Sequence, residues 1–234
     1  MDPTAPKTYL ILLNALARRE FSQRELARDL QFSVGHINRV VRWLEENHFV
    51  ERGLGRNRNL PGRTREVYSL VNPTGMLRAV SLFRPMRQLR RFSLTLDSRK
   101  EKVISDLARR QIVFCLGTAL ERFSEFYRPD EISFYALAEH DSDSPEAVRR
   151  DLSAWGEGIT RVSCYALESR LHGRRREEPA KAVELFDYLE SAGFLERSGS
   201  GLFTTKVQTV IDLFCDGKAF ATRDLLRELW GVEL

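Results

Sequence analysis

Residues 21–53 read FSQRELARDLQFSVGHINRVVRWLEENHFVERG, and this stretch predicts two helices in succession. Ser22 is a residue type that caps helices, and Glu25 follows it at the spacing of a capping box, so the first helix is expected to begin at about Gln23. It ends near the dipeptide QF. Ser33 is a second cap type, and we expect another helix to begin directly after it.

The second of these helices has two different faces. Its apolar residues recur at helical spacing and predict one buried stripe: Ile37, Val40, Val41 and Leu44. The residues away from that stripe are Gly35, His36, Asn38, Arg39 and Arg42. Asparagine suits adenine, and guanidinium groups suit guanine or phosphate. Two helices joined by a short turn, with such a second helix, indicate a helix-turn-helix whose second helix enters the major groove.

The sequence on either side completes this pattern. The segment YLILLNAL, residues 9–16, predicts a preceding apolar helix. Downstream, the turn-rich stretch LGRNRNLPGRTR, residues 54–65, is followed by the alternating EVYSLV, which together predict a β-hairpin. Its tip carries four arginines, which suit the minor groove or flanking phosphates: Arg56, Arg58, Arg63 and Arg65.

Charge is divided unevenly along the 234 residues. Residues 1–92 carry 17 Lys and Arg against 8 Asp and Glu, whereas the remaining chain carries 20 against 25, so that the total is +4. A basic segment attracts phosphate polyanions and gains affinity by releasing their counterions. DNA binding is therefore expected in the N-terminal part, with partner binding in the acidic remainder.

This pattern, from FSQRELARDLQFSVGHINRVVRWLEENHFVERG to GRTREVYSLVNPTGM, resembles the winged-helix domain of MarR-like prokaryotic regulators over residues 8–82. The resemblance implies a cap at Ser33, with Arg63 and Arg65 in the wing. Val34 and Gly35 stand where the family has a polar pair. The positions expected to contact DNA are Gln23, Ser33, Val34, Gly35, His36, Asn38, Arg39, Arg42, Arg56, Arg58, Arg63 and Arg65.

The remainder of the chain predicts an alternation of helices and strands. Residues 84–97, RPMRQLRRFSLTLD, are basic and interrupted by proline, and we expect them to be a linker. Beyond them helices are expected at 101–111, 118–126, 144–156 and 179–193, with strands at 112–116, 132–138 and 159–167. The last segment, residues 206–231, predicts two helices broken at Asp216 and Gly217. The fold class is therefore α+β, with domains at 1–83 and 98–234.

The segments LGTALERFSEFYRPDEISFYA and KVQTVIDLF resemble the nucleotidyltransferase-like domain of AbiEi-type antitoxin regulators, which also carry an N-terminal winged helix. The resemblance implies an antitoxin-like autorepressor with a toxin or other protein partner. Active nucleotidyltransferases pair a Gly-Ser helix start with two carboxylates that hold metal ions. Here Gly117 and Thr118 take the first place, and Glu131 and Ser133 the second, so we expect a non-catalytic scaffold.

The cysteines and histidines favour no metal site or cofactor. Cys115, Cys164 and Cys215 stand far apart in apolar stretches, which predicts buried, reduced thiols, and the four histidines share no ligand spacing. The start MDPTAPK lacks the order of a signal peptide, and no run approaches the length of a membrane span. We therefore expect a cytoplasmic protein with no membrane contact.

The favoured interpretation is a regulator that binds double-stranded DNA at specific sequences. We expect it to be a homodimer, because one small winged helix contacts few base pairs. The alternative is a DNA-tethered nucleotidyltransferase with metal ligands among Asp130, Glu131, Asp141 and Asp143. A third possibility is a protein-interaction adaptor. WLEENHFVERG at 43–53 also recurs as YLESAGFLERS at 188–198, which is either a second winged helix or a protein-contact module.

Overall fold

The computed structural model describes residues 1–3, 5–56, 64–110, 112–136, 144–166 and 193–233. The chain divides into two compact units, Met1–Phe83 and Arg84–Leu234. The division falls where the N-terminal domain was expected to end. Helices and strands are mixed in both units, which confirms the α+β class. Among the described residues, no helix has the length and apolar character that a membrane span requires.

The first unit packs helices against a small antiparallel sheet. Its helices are α1 (Pro6–Arg18), α2 (Gln23–Leu30), α3 (Val34–Glu46) and α4 (Pro73–Phe83). Its strands are β1 (Glu20–Phe21), β2 (Val50–Arg56) and β3 (Thr64–Leu70), in the order β1-β3-β2. The hairpin of β2 and β3 therefore forms as predicted, with Val50 opposite Leu70 and Arg56 opposite Thr64.

Local caps set the turn between α2 and α3. The Ser22 side chain accepts a hydrogen bond from the Glu25 backbone N–H, and the Glu25 carboxylate accepts one from the Ser22 backbone, so the predicted capping box is present. Gln31 ends α2 in the left-handed conformation, at φ 54°. Two residues later the Ser33 hydroxyl accepts from the His36 backbone N–H and begins α3. This leaves only three residues between the two helices.

The second unit is built on six strands. Its helices are α5 (Met86–Leu89), α6 (Lys100–Leu107), α7 (Leu116–Leu120), α8 (Pro145–Ser153), α9 (Lys206–Cys215) and α10 (Arg223–Trp230). Its strands are β4 (Arg90–Leu96), β5 (Ile112–Phe114), β6 (Glu131–Ala136), β7 (Thr160–Ala166), β8 (Leu195–Ser198) and β9 (Gly201–Thr204). The strand order is β4-β7-β6-β5-β9-β8. The predicted helix at 118–126 is shorter, since α7 ends at Leu120, and the helix predicted at 179–193 lies almost wholly outside the described residues.

The two faces of this sheet differ in chemistry. One face is apolar and packs against α6 and α8, with Phe114, Phe134, Val103 and Val148 fully buried between them. On the other face, the register of β4, β7 and β6 aligns three polar rows. These rows are Thr95-Arg161-Glu131, Ser93-Ser163-Ser133 and Arg90-Tyr165-Tyr135. This second face is buried as well along β6 and β7, since Ser133, Ser163, Tyr135 and Tyr165 have almost no exposed surface.

The segment 84–97 is not a linker, and that prediction is wrong. Residues 86–89 form α5, and residues 90–96 form β4, which pairs antiparallel with β7 at the edge of the sheet. Phe92 and Leu96 of this strand enter the apolar core. The many arginines of this segment favoured the interpretation of a solvated linker. Its apolar residues lie between and after these arginines, however, and Phe92 and Leu96 are buried.

Arg84, the first residue of the second unit, is an arginine with almost no exposed surface. Its Nη1 lies 2.8 Å from Oδ1 of Asp212 in α9, and its Nη2 donates to the Tyr135 hydroxyl at 2.6 Å. Gln208 donates to the same carboxylate oxygen at 2.8 Å. Burial raises the pKa of Asp212, and Arg84 and the other donors oppose that rise. The pair therefore ties the start of the unit to α9 through the interior.

The repeated segment at 188–198 does not lead into a separate winged helix. Its hairpin, β8 with β9, belongs to the six-stranded sheet, because β9 pairs in parallel with β5. The two segments are similar only in local hydrogen bonding. In each, the phenylalanine just before the hairpin accepts a hydrogen bond from the residue just after it: the Phe49 carbonyl accepts from the Val71 backbone N–H, and the Phe194 carbonyl accepts from the Thr205 backbone N–H.

We predict that Arg84→Met and Asp212→Leu each lower the free energy of unfolding of the second unit by about 3–5 kcal/mol, because each leaves a buried charge without its partner. The double variant is expected to lose much less than the sum of the two. Urea unfolding followed by circular dichroism measures all three.

Arg150→Met is the matched control, since Arg150 lies on α8 with most of its side chain exposed and only a 3.8 Å ion pair to its neighbour Asp151. It is expected to change stability by less than about 0.5 kcal/mol. Additive losses in the double variant would contradict a coupled pair.

Candidate nucleic-acid interface

Helix α3 buries one side completely and exposes the other. The predicted stripe is confirmed, because Ile37, Val40, Val41 and Leu44 have no exposed surface. Asn38, Arg39 and Arg42 are exposed. Since the helix is fixed by four buried side chains, its rotation about its own axis is fixed too, and these three polar residues must face outward.

The outward residues of α3 are free of internal partners. Among the described residues, no hydrogen bond or ion pair holds the side chains of Asn38, Arg39 or Arg42. Arg18 and Arg28 of the same unit differ, since each lies 2.8 Å from a carboxylate oxygen of Asp29. An unpaired guanidinium group has all of its N–H donors available to bind an external anion or base edge.

Arg24 belongs with this group, although the sequence reasoning did not select it. It is exposed in the first turn of α2 and, within the described part of the chain, makes no hydrogen bond or ion pair. The sequence did contain a signal for this residue, because Arg24 lies two residues after the Ser22 cap. Acidic residues are favoured in the first turn of a helix, so helix stability does not explain an arginine there. A phosphate outside the protein would supply that reason.

The first turn of α3 is open and apolar. Val34 has 54% of its surface exposed, and a Cβ added at Gly35 would meet no atom within 4 Å. The backbone of Gly35 is helical, so nothing in its conformation requires glycine. Ser33 is exposed, and its hydroxyl is engaged in capping.

His36 lies differently from its neighbours on α3. Its ring is half-buried, packs edge-on against Phe32 at 6.2 Å, and has an Nε2 that is buried without a hydrogen-bond partner. Burial, followed by the nearby charges of Lys7 and Arg39, lowers the pKa of His36. The expectation that His36 faces a base edge is therefore wrong for this nitrogen, and the ring contributes mainly to packing.

Two networks join α2 to the hairpin and involve two residues expected to bind DNA. Gln23 donates to the Tyr68 hydroxyl at 3.0 Å, and Tyr68 donates to Glu66 at 2.6 Å. Burial and the bond to Glu66 raise the pKa of Tyr68 to about 12. Arg65 forms an ion pair with Glu25. Gln23 and Arg65 thus have partners inside the protein, and their contact with DNA stays a prediction.

Glu25 holds the second network together. Partial burial raises its pKa, but hydrogen bonds from Arg65 and from Ser22 outweigh that effect and leave the pKa lowered. The carboxylate therefore caps α2 and anchors β3 at once. Of the other wing arginines, Arg58 and Arg63 lie outside the described residues, and Arg56 is described only as the last residue of β2.

The positions expected to correspond to a nucleotidyltransferase site are occupied by internal contacts. The Thr118 hydroxyl accepts from the Ser133 backbone N–H at 2.8 Å and donates to the Glu131 carbonyl at 3.4 Å. Beside Gly117, the place of a Cβ lies 2.9 Å from the side chain of Pro129 and 3.3 Å from that of Tyr127. Pro129 and Tyr127 therefore pack directly against Gly117 at the start of α7.

The described carboxylates of this region are dispersed. Asp130 is largely exposed and lies 3.6 Å from Arg161, while Asp141 and Asp143 are outside the described residues. In the described part of the chain, no group of three or more His, Cys, Asp or Glu is placed to hold a metal ion. The three cysteines are buried and unpaired, as predicted, and burial raises the pKa of each thiol.

Comparisons with protein-family models, with curated proteins and with solved structures gave no significant match to this chain.

We predict that Gly35→Ala raises the free energy of unfolding of the first unit by about 0.5–1 kcal/mol, because alanine favours the helix and the added Cβ meets no atom. Gly75→Ala in α4 is the control, since its Cβ would lie 2.5 Å from the Asn72 amide nitrogen. Urea unfolding compares them, and equal loss in both variants would show that Gly35 is needed for folding.

We also predict that His36 makes the first unit less stable in mild acid. Because its folded-state pKa is lowered, the unfolded chain takes up the proton first, and stability is lost as the pH falls below about 6.5. His36→Gln is expected to flatten the dependence of unfolding free energy on pH between about 7 and 5, above the range where carboxylates titrate. An unchanged slope would contradict the buried, neutral ring.

Proposed function

We propose that the protein is a transcription regulator that binds double-stranded DNA at specific sequences through the exposed face of α3. The observation that carries the proposal is that Asn38, Arg39 and Arg42 share one exposed helix face and have no hydrogen-bond or ion-pair partner among the described residues. An amide and two guanidinium groups are the side chains that read adenine and guanine edges in the major groove.

Charge and topology support the same conclusion. The basic residues concentrate in the first 92 positions, and three exposed arginines without a partner among the described residues, Arg24, Arg39 and Arg42, lie on α2 and α3. Three residues separate these helices, and an antiparallel hairpin follows them, which is the order of elements in a winged helix. We infer that the first unit is a winged helix with α3 as its recognition helix and the hairpin as its wing.

We propose a binding role, and not catalysis, for the second unit. Its Thr118 hydroxyl is used to hold β6, and Ser133 stands where a second metal-binding carboxylate would be required. The resemblance to AbiEi-type regulators suggests a toxin or another protein as the partner of this unit. A homodimer is part of the proposal, because two recognition helices multiply the specificity that one provides.

We predict that Arg39→Ala and Arg42→Ala each weaken binding to the protein's own upstream DNA by about tenfold or more, because each removes a charged contact in the groove. Fluorescence anisotropy across a salt series measures this. A residue that contacts phosphate alone should also reduce the slope of affinity against salt by about one. Asn38→Ala is expected to reduce the preference over a scrambled duplex.

Arg150→Ala is the matched control, an exposed arginine of the second unit that should leave binding unchanged. Equal, weak binding of the unchanged protein to the upstream and scrambled duplexes would contradict sequence-specific regulation. Full retention of affinity in both α3 arginine variants would show that another surface holds the DNA.

A further inference from the structure

Val34 is an exposed apolar residue in the middle of an otherwise polar surface. It stands at the first position of α3 with 54% of its surface accessible. Residues four apart lie on the same side of a helix, so Val34, Asn38 and Arg42 form one row along the exposed face. The row therefore begins with two methyl groups, continues with an amide and ends with a guanidinium group.

Gly35 keeps the surface next to Val34 clear. A glycine within a helix lowers stability by about 0.5–1 kcal/mol relative to alanine, and no contact inside the protein requires it here. A Cβ at this position would meet no described atom within 4 Å, so the surface of the first turn beside Val34 is open. A flat base edge can approach such a turn closely.

The major groove contains one apolar group that suits this arrangement. Thymine carries a C5-methyl there, whereas adenine offers N7 and its N6 amino group, the pair that an asparagine amide reads. Val34 and Asn38 are separated along the helix axis by about 6 Å, which corresponds to about two base-pair steps. Both residues can thus reach neighbouring base pairs of one site.

We infer that Val34 is a specificity-determining residue that packs against a thymine methyl group, within about two base pairs of an adenine bound by Asn38. This inference rests on the proposed function, since it requires α3 to lie in the major groove. It identifies the bound DNA as a site with a thymine and an adenine close together, and it assigns the apolar start of α3 a role in recognition.

The test begins with the full-length protein and a pool of random duplexes, from which bound sequences are enriched. Each thymine of the enriched site is then replaced in turn by uracil, which lacks only the methyl group. For the unchanged protein, one thymine is expected at which uracil lowers affinity about fourfold, the effect of one buried methyl group. At that position Val34→Ala should bind the two duplexes equally.

Val71→Ala is the matched control, since Val71 is also an exposed valine of the first unit, with 44% of its surface accessible. It should retain the full uracil effect. Val34→Ile, which keeps the methyl groups, should retain it as well. The uracil scan uses the unchanged protein, so this part of the test does not depend on whether any variant folds.

Four results would overturn the inference. No uracil effect at any thymine, or the same effect in Val34→Ala, would show that Val34 reads no methyl group, while binding through α3 would stand. A change in oligomeric state on Val34→Ala, without a uracil effect, would make Val34 a protein contact. Failure to enrich any sequence would remove the proposed function itself.

Discussion

The burial of four aliphatic side chains along α3 is the constraint on which the first unit depends. Ile37, Val40, Val41 and Leu44 are excluded from water, so the helix has one permitted rotation against its neighbours. Everything on its other side is then determined by sequence spacing. The networks between α2 and the hairpin add a second constraint, because Glu25 of α2 pairs with Arg65 of β3, and Glu66 of β3 pairs with Arg52 of β2 within the hairpin. Acidic residues within this basic unit therefore keep some arginines in place and leave others exposed.

The second unit is organised by a sheet that has one apolar and one polar face. Its apolar face is covered by α6 and α8. The polar face contains buried hydroxyls, such as Ser163 facing Ser93 at 3.1 Å, and the ion pair of Arg84 with Asp212 lies near Tyr135 of the same face. A buried ion pair often gives less stability than apolar packing of the same volume, but few alternative arrangements satisfy both charges. Here the pair fixes the position of Arg84, the first residue of the unit, against α9.

Sequence reasoning succeeded where the signal was local and failed where the partner was distant. The caps at Ser22 and Ser33, the hairpin after Asn47 and the break at Gly217, with φ of 75°, all depend on nearby residues and were predicted. The segment 84–97 was misjudged because the partner that buries Arg84 lies 128 residues away. The internal partners of Gln23 and Arg65 were missed for the same reason, since they lie 45 and 40 residues away in sequence. Exposure of Asn38, Arg39 and Arg42 was predicted from their spacing against the apolar stripe of α3, whereas Arg24 was not selected because α2 was not analysed for its exposed face.

The position of Arg84 restricts how the two units can be recombined during evolution. A crossover that replaced the first unit together with the basic stretch after it would remove the edge strand and the counter-ion of Asp212 in one step. A junction that precedes Arg84, or a replacement segment that brings its own buried cation, keeps a counter-ion for Asp212. Relatives with exchanged first units should therefore keep an arginine immediately after the last helix of that unit, even where the surrounding sequence has diverged.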